Sequence, residues 1–173
     1  MNAPLKKSHA GGFSLLELVI VVAMVGIISG FAIVSFVRGN RTVDRTKTAV
    51  ELANHLQKAR IDSMRRKVRD VNQMAQVRVF NRRFYSIAID GDNDGQLDIP
   101  LVMSLPEEPG VEINGPFPKN YIFDELGWTV DSQNQRVTPP PMIVGNGAGA
   151  SAIKFSDDGT IVIVPAVKAT AAK

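Results

Sequence analysis

The sequence has no cysteine. That removes disulfide stapling, thiol nucleophiles and thiolate-held zinc from the chemistry open to it. Histidine is almost as scarce, with only His9 and His55. Without a histidine pair or a G-x-S-x-G, neither a zinc hydrolase nor a serine-type acyl transferase has visible parts. Tandem aspartates on one loop do not replace them, because glycoside hydrolysis needs two opposed carboxylates. Charge is absent from one long stretch, as residues 18–37 contain no Asp, Glu, Lys or Arg. The balance of charge is also slight. The formal net charge is +3, and +1 without Lys6 and Lys7, so bulk charge argues neither for nor against nucleic acid.

What is present begins with that uncharged stretch. A helix rises ~1.5 Å per residue, so about 20 apolar residues cross ~30 Å of hydrocarbon. Residues 18–37 therefore read as a membrane span. Glu17 stands one turn into this helix, where an unpaired buried charge is costly unless it finds a cation or takes a proton. The preceding residues, MNAPLKKSHAGG, carry Lys6 and Lys7, no acid, and end in Gly11-Gly12. A Sec-type signal peptide places its small residues and cleavage site after the apolar run. Here they come before it.

A short basic leader ending in Gly12, then Phe13, then Glu17 five places after the glycine, then an uncharged span, together resemble the start of the type IV pilin-like family. The resemblance implies a prepilin peptidase that cuts between Gly12 and Phe13 and methylates the new amine of Phe13. It also implies a division into a leader (1–12), a transmembrane and filament-core helix (13–37) and a pilin-like domain (38–173) in the periplasm or outside the cell. The implied partners are other pilins or pseudopilins, an inner-membrane assembly platform and membrane lipid. Counting charges does not settle orientation, since Lys6 and Lys7 precede the span while Arg38, Arg41, Arg45 and Lys47 follow it; the resemblance places the N-terminus inside. In a filament of parallel helices, Glu17 would neutralise the ammonium of Phe13 in its own subunit or a neighbour's. The alternative is that Glu17 lies at headgroup level and only caps the helix. Gly26 and Gly30 form a G-x-x-x-G, read either as a close helix approach or as ordinary glycine usage in a membrane helix. Val34 stands where many members carry a helix-kinking proline.

About 136 residues follow the span, enough for one core. Ala49, Leu52, Leu56 and Ala59 recur at spacings of three and four, and Ile61, Met64, Val68 and Val71 continue the period. This predicts that the helix leaves the membrane and runs to about residue 72, with Gly39-Asn40 as a place where it could be interrupted. Residues 74–90 switch to period two around a turn at Asn81-Arg82, predicting a hairpin. Apolar runs at 101–105, 111–113, 121–123, 128–130, 143–144, 153–155 and 161–164, separated by Gly, Pro, Asn and Asp, predict further antiparallel strands. Pro139-Pro140-Pro141 marks a stiff turn and residues 145–149 a flexible one, while Asp158-Gly159 supplies the positive φ of a tight hairpin. The expectation is an α+β, pilin-like fold: a long N-terminal helix packed on an antiparallel sheet. The IKFSDDGT ending, the long helix and an Asp-rich loop are similar to the minor pseudopilin H and FimT group. That likeness implies a structural, non-enzymatic role as a minor subunit of a type II secretion pseudopilus or a type IV pilus.

Two constellations carry other chemistry. Asp90, Asp92, Asp94 and Asp98 occupy positions one, three, five and nine of a loop with Gly95 at six, the spacing of the first half of a Ca²⁺ loop. Position twelve is Leu101 rather than a glutamate, so Glu107, Glu108 or Asp124 would have to complete the site. The other reading is a hydrogen-bonded turn with solvated carboxylates. The second constellation is the basic run Arg60, Arg65, Arg66, Lys67 and Arg69, with Arg78, Arg82 and Arg83 downstream. The FimT likeness implies DNA as a partner for Arg65, Arg66, Arg82 and Arg83; the alternative is a solvated face or one turned to acidic neighbours. Phe80, Phe84 and Tyr85 read as core or strand residues, and His55 as a surface or packing residue.

Overall fold

Ser14 starts the first helix. Its Oγ accepts the Leu16 N–H (3.3 Å) and its carbonyl the Leu18 N–H (3.1 Å), which satisfies N–H groups that a helix start leaves without intrahelical partners. The computed structural model describes residues 14–145 and 150–165, without the side chains of residue 34 and residues 36–42. Helix α1 spans Leu15–Arg66 and passes through Gly39 and Asn40 unbroken. The chain divides into two units, residues 1–39 and residues 40–173.

In the first unit, residues 14–33 are all exposed. The large apolar side chains among them range from 47% exposed at Ile20 to 80% at Leu15. Leu15–Ile33 is long and apolar enough to cross a membrane. A helix that is apolar all round belongs in lipid or inside a bundle, and nothing among the described residues covers this one. A Cβ built on Gly26 or Gly30 would meet nothing within 4 Å.

In the second unit α1 has a buried stripe. Ala49, Leu52, Leu56 and Ala59 are fully buried. Past Ala59 the stripe departs from expectation: Ile61 and Met64 are 55% and 41% exposed, and Asp62 and Ser63 are buried in their place. The helix also stops at Arg66, short of residue 72. Lys67 turns left-handed (φ 54°) while its N–H still bonds Ser63 O (2.9 Å), which is the geometry of a helix C-terminus. A short 3₁₀ helix, Val71–Gln73, follows, capped by the Asp70 side chain.

Among the described residues nine strands come next: β1 (Gln76–Val79), β2 (Phe84–Ala88), β3 (Leu101–Ser104), β4 (Ile113–Asn114), β5 (Lys119–Phe123), β6 (Thr129–Val130), β7 (Met142–Val144), β8 (Ser151–Phe155) and β9 (Ile161–Pro165). They form two antiparallel sheets, ordered β3-β2-β1-β5-β6 and β4-β7-β8-β9. Each predicted apolar run lies on or overlaps one of them, and the β1–β2 turn falls at the expected place, where Asn81 Oδ1 accepts the N–H of Arg83 (2.8 Å) and Phe84 (3.0 Å). The expected flexible turn at 145–149 lies largely outside the described residues. One core joins the α1 stripe to Val77, Val79 and Phe123 of the first sheet and Ile113, Met142 and Ile153 of the second. Each large side chain so buried contributes about 1.5–3 kcal/mol. Gly159 (φ 75°) closes the β8–β9 turn as expected, and its lack of a side chain serves packing too, since a Cβ there would overlap Gly127 O.

Candidate functional site

The first candidate site is the start of α1. Ser14 caps the helix and Glu17 lies in its first turn, a capping-box spacing of serine and glutamate that the sequence displays. The capping role of Ser14 escaped the reading of the sequence, although the S-x-x-E signal was there. Glu17 is exposed and has no ion-pair partner among the described residues. Gly12 and Phe13 lie outside the described residues, and the expected cleavage site and Phe13–Glu17 pair with them.

The second is the loop of residues 90–98. Asp90 is buried, and its two oxygens accept the N–H groups of Asp94 (3.2 Å) and Gly95 (3.1 Å). Asp92 Oδ1 accepts the Asp94 N–H (3.2 Å) and Asp94 Oδ1 that of Gln96 (2.8 Å). Gly95 (φ 90°) makes the reversal that the spacing required. Burial opposes ionisation of Asp90, but the N–H groups of Gly95, Asn93 and Asp94 and the Arg65 guanidinium outweigh it and hold its pKa below the ordinary carboxylate value. Oxygens of Asp90, Asp92 and Asp94 lie within 4.8 Å of one another. Asp98 is not part of that group. Its Oδ2 takes the Gly91 N–H (2.7 Å) and its own N–H bonds Ile89 O (3.0 Å), closing the loop at its base. Among the described residues no fourth acid joins the three; Asp124 instead accepts the N–H groups of Leu126 (2.9 Å) and Trp128 (2.8 Å). Ca²⁺ takes 6–8 oxygens, so these three carboxylates would need carbonyl or water oxygens beside them to hold it.

Asp62 anchors this loop, and the reading of the sequence missed it. The side chain is 5% exposed and accepts from Arg65 Nη2 (2.7 Å), Arg66 Nε (2.8 Å) and the Asp90 N–H (3.3 Å). Arg65 also donates to Asp90 O (2.8 Å), and Arg66 to Gln73 O (2.8 Å). One step along, Ser63 Oγ accepts the Ala75 N–H (3.0 Å). The end of α1, the aspartate loop and the approach to β1 are thus held by one polar knot, in which the buried acid has two guanidinium partners, although the buried Arg66 Nη2, 2.8 Å from Asp62 Oδ2, makes no hydrogen bond. An acid three residues after Ala59 on the buried stripe, with arginines at the next third and fourth places, was the available signal.

The basic residues do not form one patch. Arg65 and Arg66 sit at the Asp90 end of the β1–β2 hairpin, and Arg82 and Arg83 in the turn at its other end. Arg82 lies 3.5 Å from the Glu112 carboxylate. Arg60 donates to Gly127 O (2.9 Å) and Arg69 to both oxygens of Glu125 (3.1 Å each). Arg78 stacks over the Phe80 ring at 5.4 Å. Tyr85 is a core residue whose hydroxyl meets His55 Nδ1 at 2.8 Å. Burial lowers the His55 pKa, Lys58 adds to the effect and Glu51 opposes it; burial and Glu51 push Tyr85 up to about 12.

With this geometry in view, comparison with known proteins places one segment. A family profile, the prokaryotic N-terminal methylation motif, matches residues 7–33. The match covers the leader junction, Glu17 and the exposed apolar helix, and it supports a type IV pilin-like protein processed as a prepilin. No curated protein and no solved structure matches the chain.

Proposed function

We propose that this chain is a structural subunit, and a minor one, of a type II secretion pseudopilus or type IV pilus. The observation that carries the reading is the methylation-motif match at residues 7–33 over a helix whose described residues 14–33 are all exposed. Prepilin peptidase cuts between Gly12 and Phe13 and methylates Phe13. The processed chain waits in the inner membrane as a single span with its folded domain in the periplasm. An assembly platform then transfers it to a filament, where lipid around residues 15–33 is exchanged for the helices of other pilins. Glu17 pairs with the Phe13 ammonium during that transfer, an attraction strengthened by the low dielectric of the surroundings. The role is structural rather than enzymatic.

Intact mass of the protein from its native membrane tests the reading. A chain that begins at N-methylated Phe13 is expected; one that retains residues 1–12 overturns it.

A DNA-binding minor pilin is the competing reading, and no observation favours it, because Arg65 and Arg66 are committed to Asp62 and stand apart from Arg82 and Arg83. It requires salt-sensitive DNA binding that falls when Arg82 and Arg83 lose their charge. Ca²⁺ enters the proposal only as a weak ligand of Asp90, Asp92 and Asp94.

A further inference from the structure

Two small residues leave a gap on the outer face of the first sheet. Side chains alternate between faces along a strand, and Val77, Val79, Tyr85 and Ile87 turn inward to the core. Ser86 and Ala88 of β2 therefore turn outward. The register sets Ser86 between Arg78 of β1 and Val102 of β3, and Ala88 opposite Gln76. These longer neighbours, with Phe80 and Pro100 at the ends, wall in a cavity of about 150 Å³. Ser86 and Ala88, 4% and 3% exposed, lie at its floor.

The polar groups of this cavity have donors to offer and lack an acceptor. The Ser86 hydroxyl makes no hydrogen bond among the described residues. Gln76 Oε1 accepts from Asn120 Nδ2 (2.8 Å), which leaves the Gln76 N–H groups for another acceptor. The Arg78 guanidinium lies over the Phe80 ring, 5.4 Å from its centroid, and meets no acid within 4 Å among the described residues. That sets it apart. Arg65, Arg66, Arg69, Arg82 and Arg136 each meet a carboxylate of their own chain. No Asp or Glu lines the cavity. A fixed cation with neutral donors beside it selects an anion, and a guanidinium matches a carboxylate. The rest of the lining is apolar and suits a carbon stem. About 150 Å³ takes roughly six heavy atoms, well below the ~300–1,000 Å³ of a site for a larger ligand. One side chain fits.

We propose that this cavity is a carboxylate-binding site, and that its occupant is a glutamate side chain presented by another pilin subunit. The Arg78 guanidinium takes the carboxylate, Ser86 Oγ and the Gln76 amide donate to it, and Phe80, Pro100 and Val102 cover the stem. Charge complementarity of this kind fixes register between partners. The inference rests on the filament reading and names the chemistry of one contact within it.

The absence of native cysteine lets a single thiol report on the cavity. In full-length Ser86→Cys chains in detergent, the thiolate attacks the CH₂ of iodoacetate or iodoacetamide, forming a C–S bond and expelling iodide. The rate with the acid relative to the amide is expected to fall at least ~5-fold when Arg78→Gln is added, the effect of one nearby charge, and to hold when Arg82→Gln is added instead. N-acetylglutamate methylamide should protect the thiol, and its glutamine counterpart should not. Equal losses from the two arginine variants, or equal protection by the two peptides, overturn the carboxylate site.

In sheared filaments the thiol should resist iodoacetate, whereas in Glu17→Ala chains held in the membrane it should react. A thiol that reacts in filaments of cleaved chains overturns the subunit as occupant. So does one protected in both settings until dialysis, which marks a free carboxylate. Chains that retain residues 1–12 yet keep the selectivity in detergent overturn the filament reading alone.

Discussion

Glu17 and Asp62 are carboxylates on the same helix in opposite situations. Asp62 is buried and answered within its own chain by Arg65, Arg66 and the Asp90 N–H. Glu17 is exposed, stands at the head of an apolar helix and has no partner among the described residues. The difference separates the two units physically. In the second unit the buried Asp62 finds its partners within the chain, while residues 14–33 are largely apolar and all exposed. A charge answered at home serves stability; one left unanswered serves assembly in the function proposed above.

That contrast can be broken most severely at Glu17. Glu17→Ala is expected to reduce incorporation into filaments by at least ~100-fold, read by immunoblot of sheared filaments, because loss of one close charge pair in low dielectric is worth several kcal/mol. The thermal unfolding of the folded domain should not move. Asp62→Ala should do the reverse to stability, costing about 3–5 kcal/mol in chemical denaturation of the detergent-solubilised chain, since it leaves the buried Arg66 without its carboxylate.

Equal apolar truncations sharpen the same comparison. Leu56→Ala, at a fully buried position, is expected to cost about 2–5 kcal/mol. Leu18→Ala, on an exposed helix face, should leave domain unfolding unchanged and be felt only in membrane insertion or assembly.

A smaller effect is expected from pH. The folded-state pKa of His55 lies below its ordinary value of about 6.5, so the unfolded chain binds the proton more readily. The contribution from neutral His55 is complete above about pH 6.5 and is lost as pH falls toward the folded-state pKa. The melting temperature should therefore drop between pH 7 and pH 5, and His55→Gln should flatten that drop. Asp90, also lowered, acts with the same sign but only below about pH 4, the ordinary carboxylate range. Smallest of all is calcium: calorimetry should give a Kd no tighter than about 10⁻⁴ M, abolished by Asp92→Asn with Asp94→Asn. No binding heat at millimolar Ca²⁺ would leave the loop as a hydrogen-bonded turn alone.

The strands were readable because period two and turn residues act locally. Asn81 and Gly159 sit where the backbone reverses, and their chemistry announces it. The end of α1 was not readable, for a specific reason. Ile61, Met64, Val68 and Val71 sustain a helical period that the tertiary structure does not use, and the left-handed turn falls on Lys67, a residue with no preference for it. Asp62 stayed hidden because counting apolar residues along a stripe passes over an acid whose partners lie three and four places ahead. The aspartate loop was half legible: spacing indicated that Asp90, Asp92 and Asp94 converge, but not that Asp98 turns away to hold Gly91. The basic run shows the limit of one-dimensional reading, since a hairpin separates by its own length what the sequence sets close together.

The chain has a single tryptophan, Trp128, and Arg136 stacks on its ring with the guanidinium carbon 3.6 Å from the centroid. Its ultraviolet emission is therefore a built-in optical reporter on the β5–β6 corner, quenched or shifted as that stack opens. It belongs wholly to the second unit, so fluorescence will follow unfolding of the domain in detergent, in vesicles or in a polymerised filament without a label.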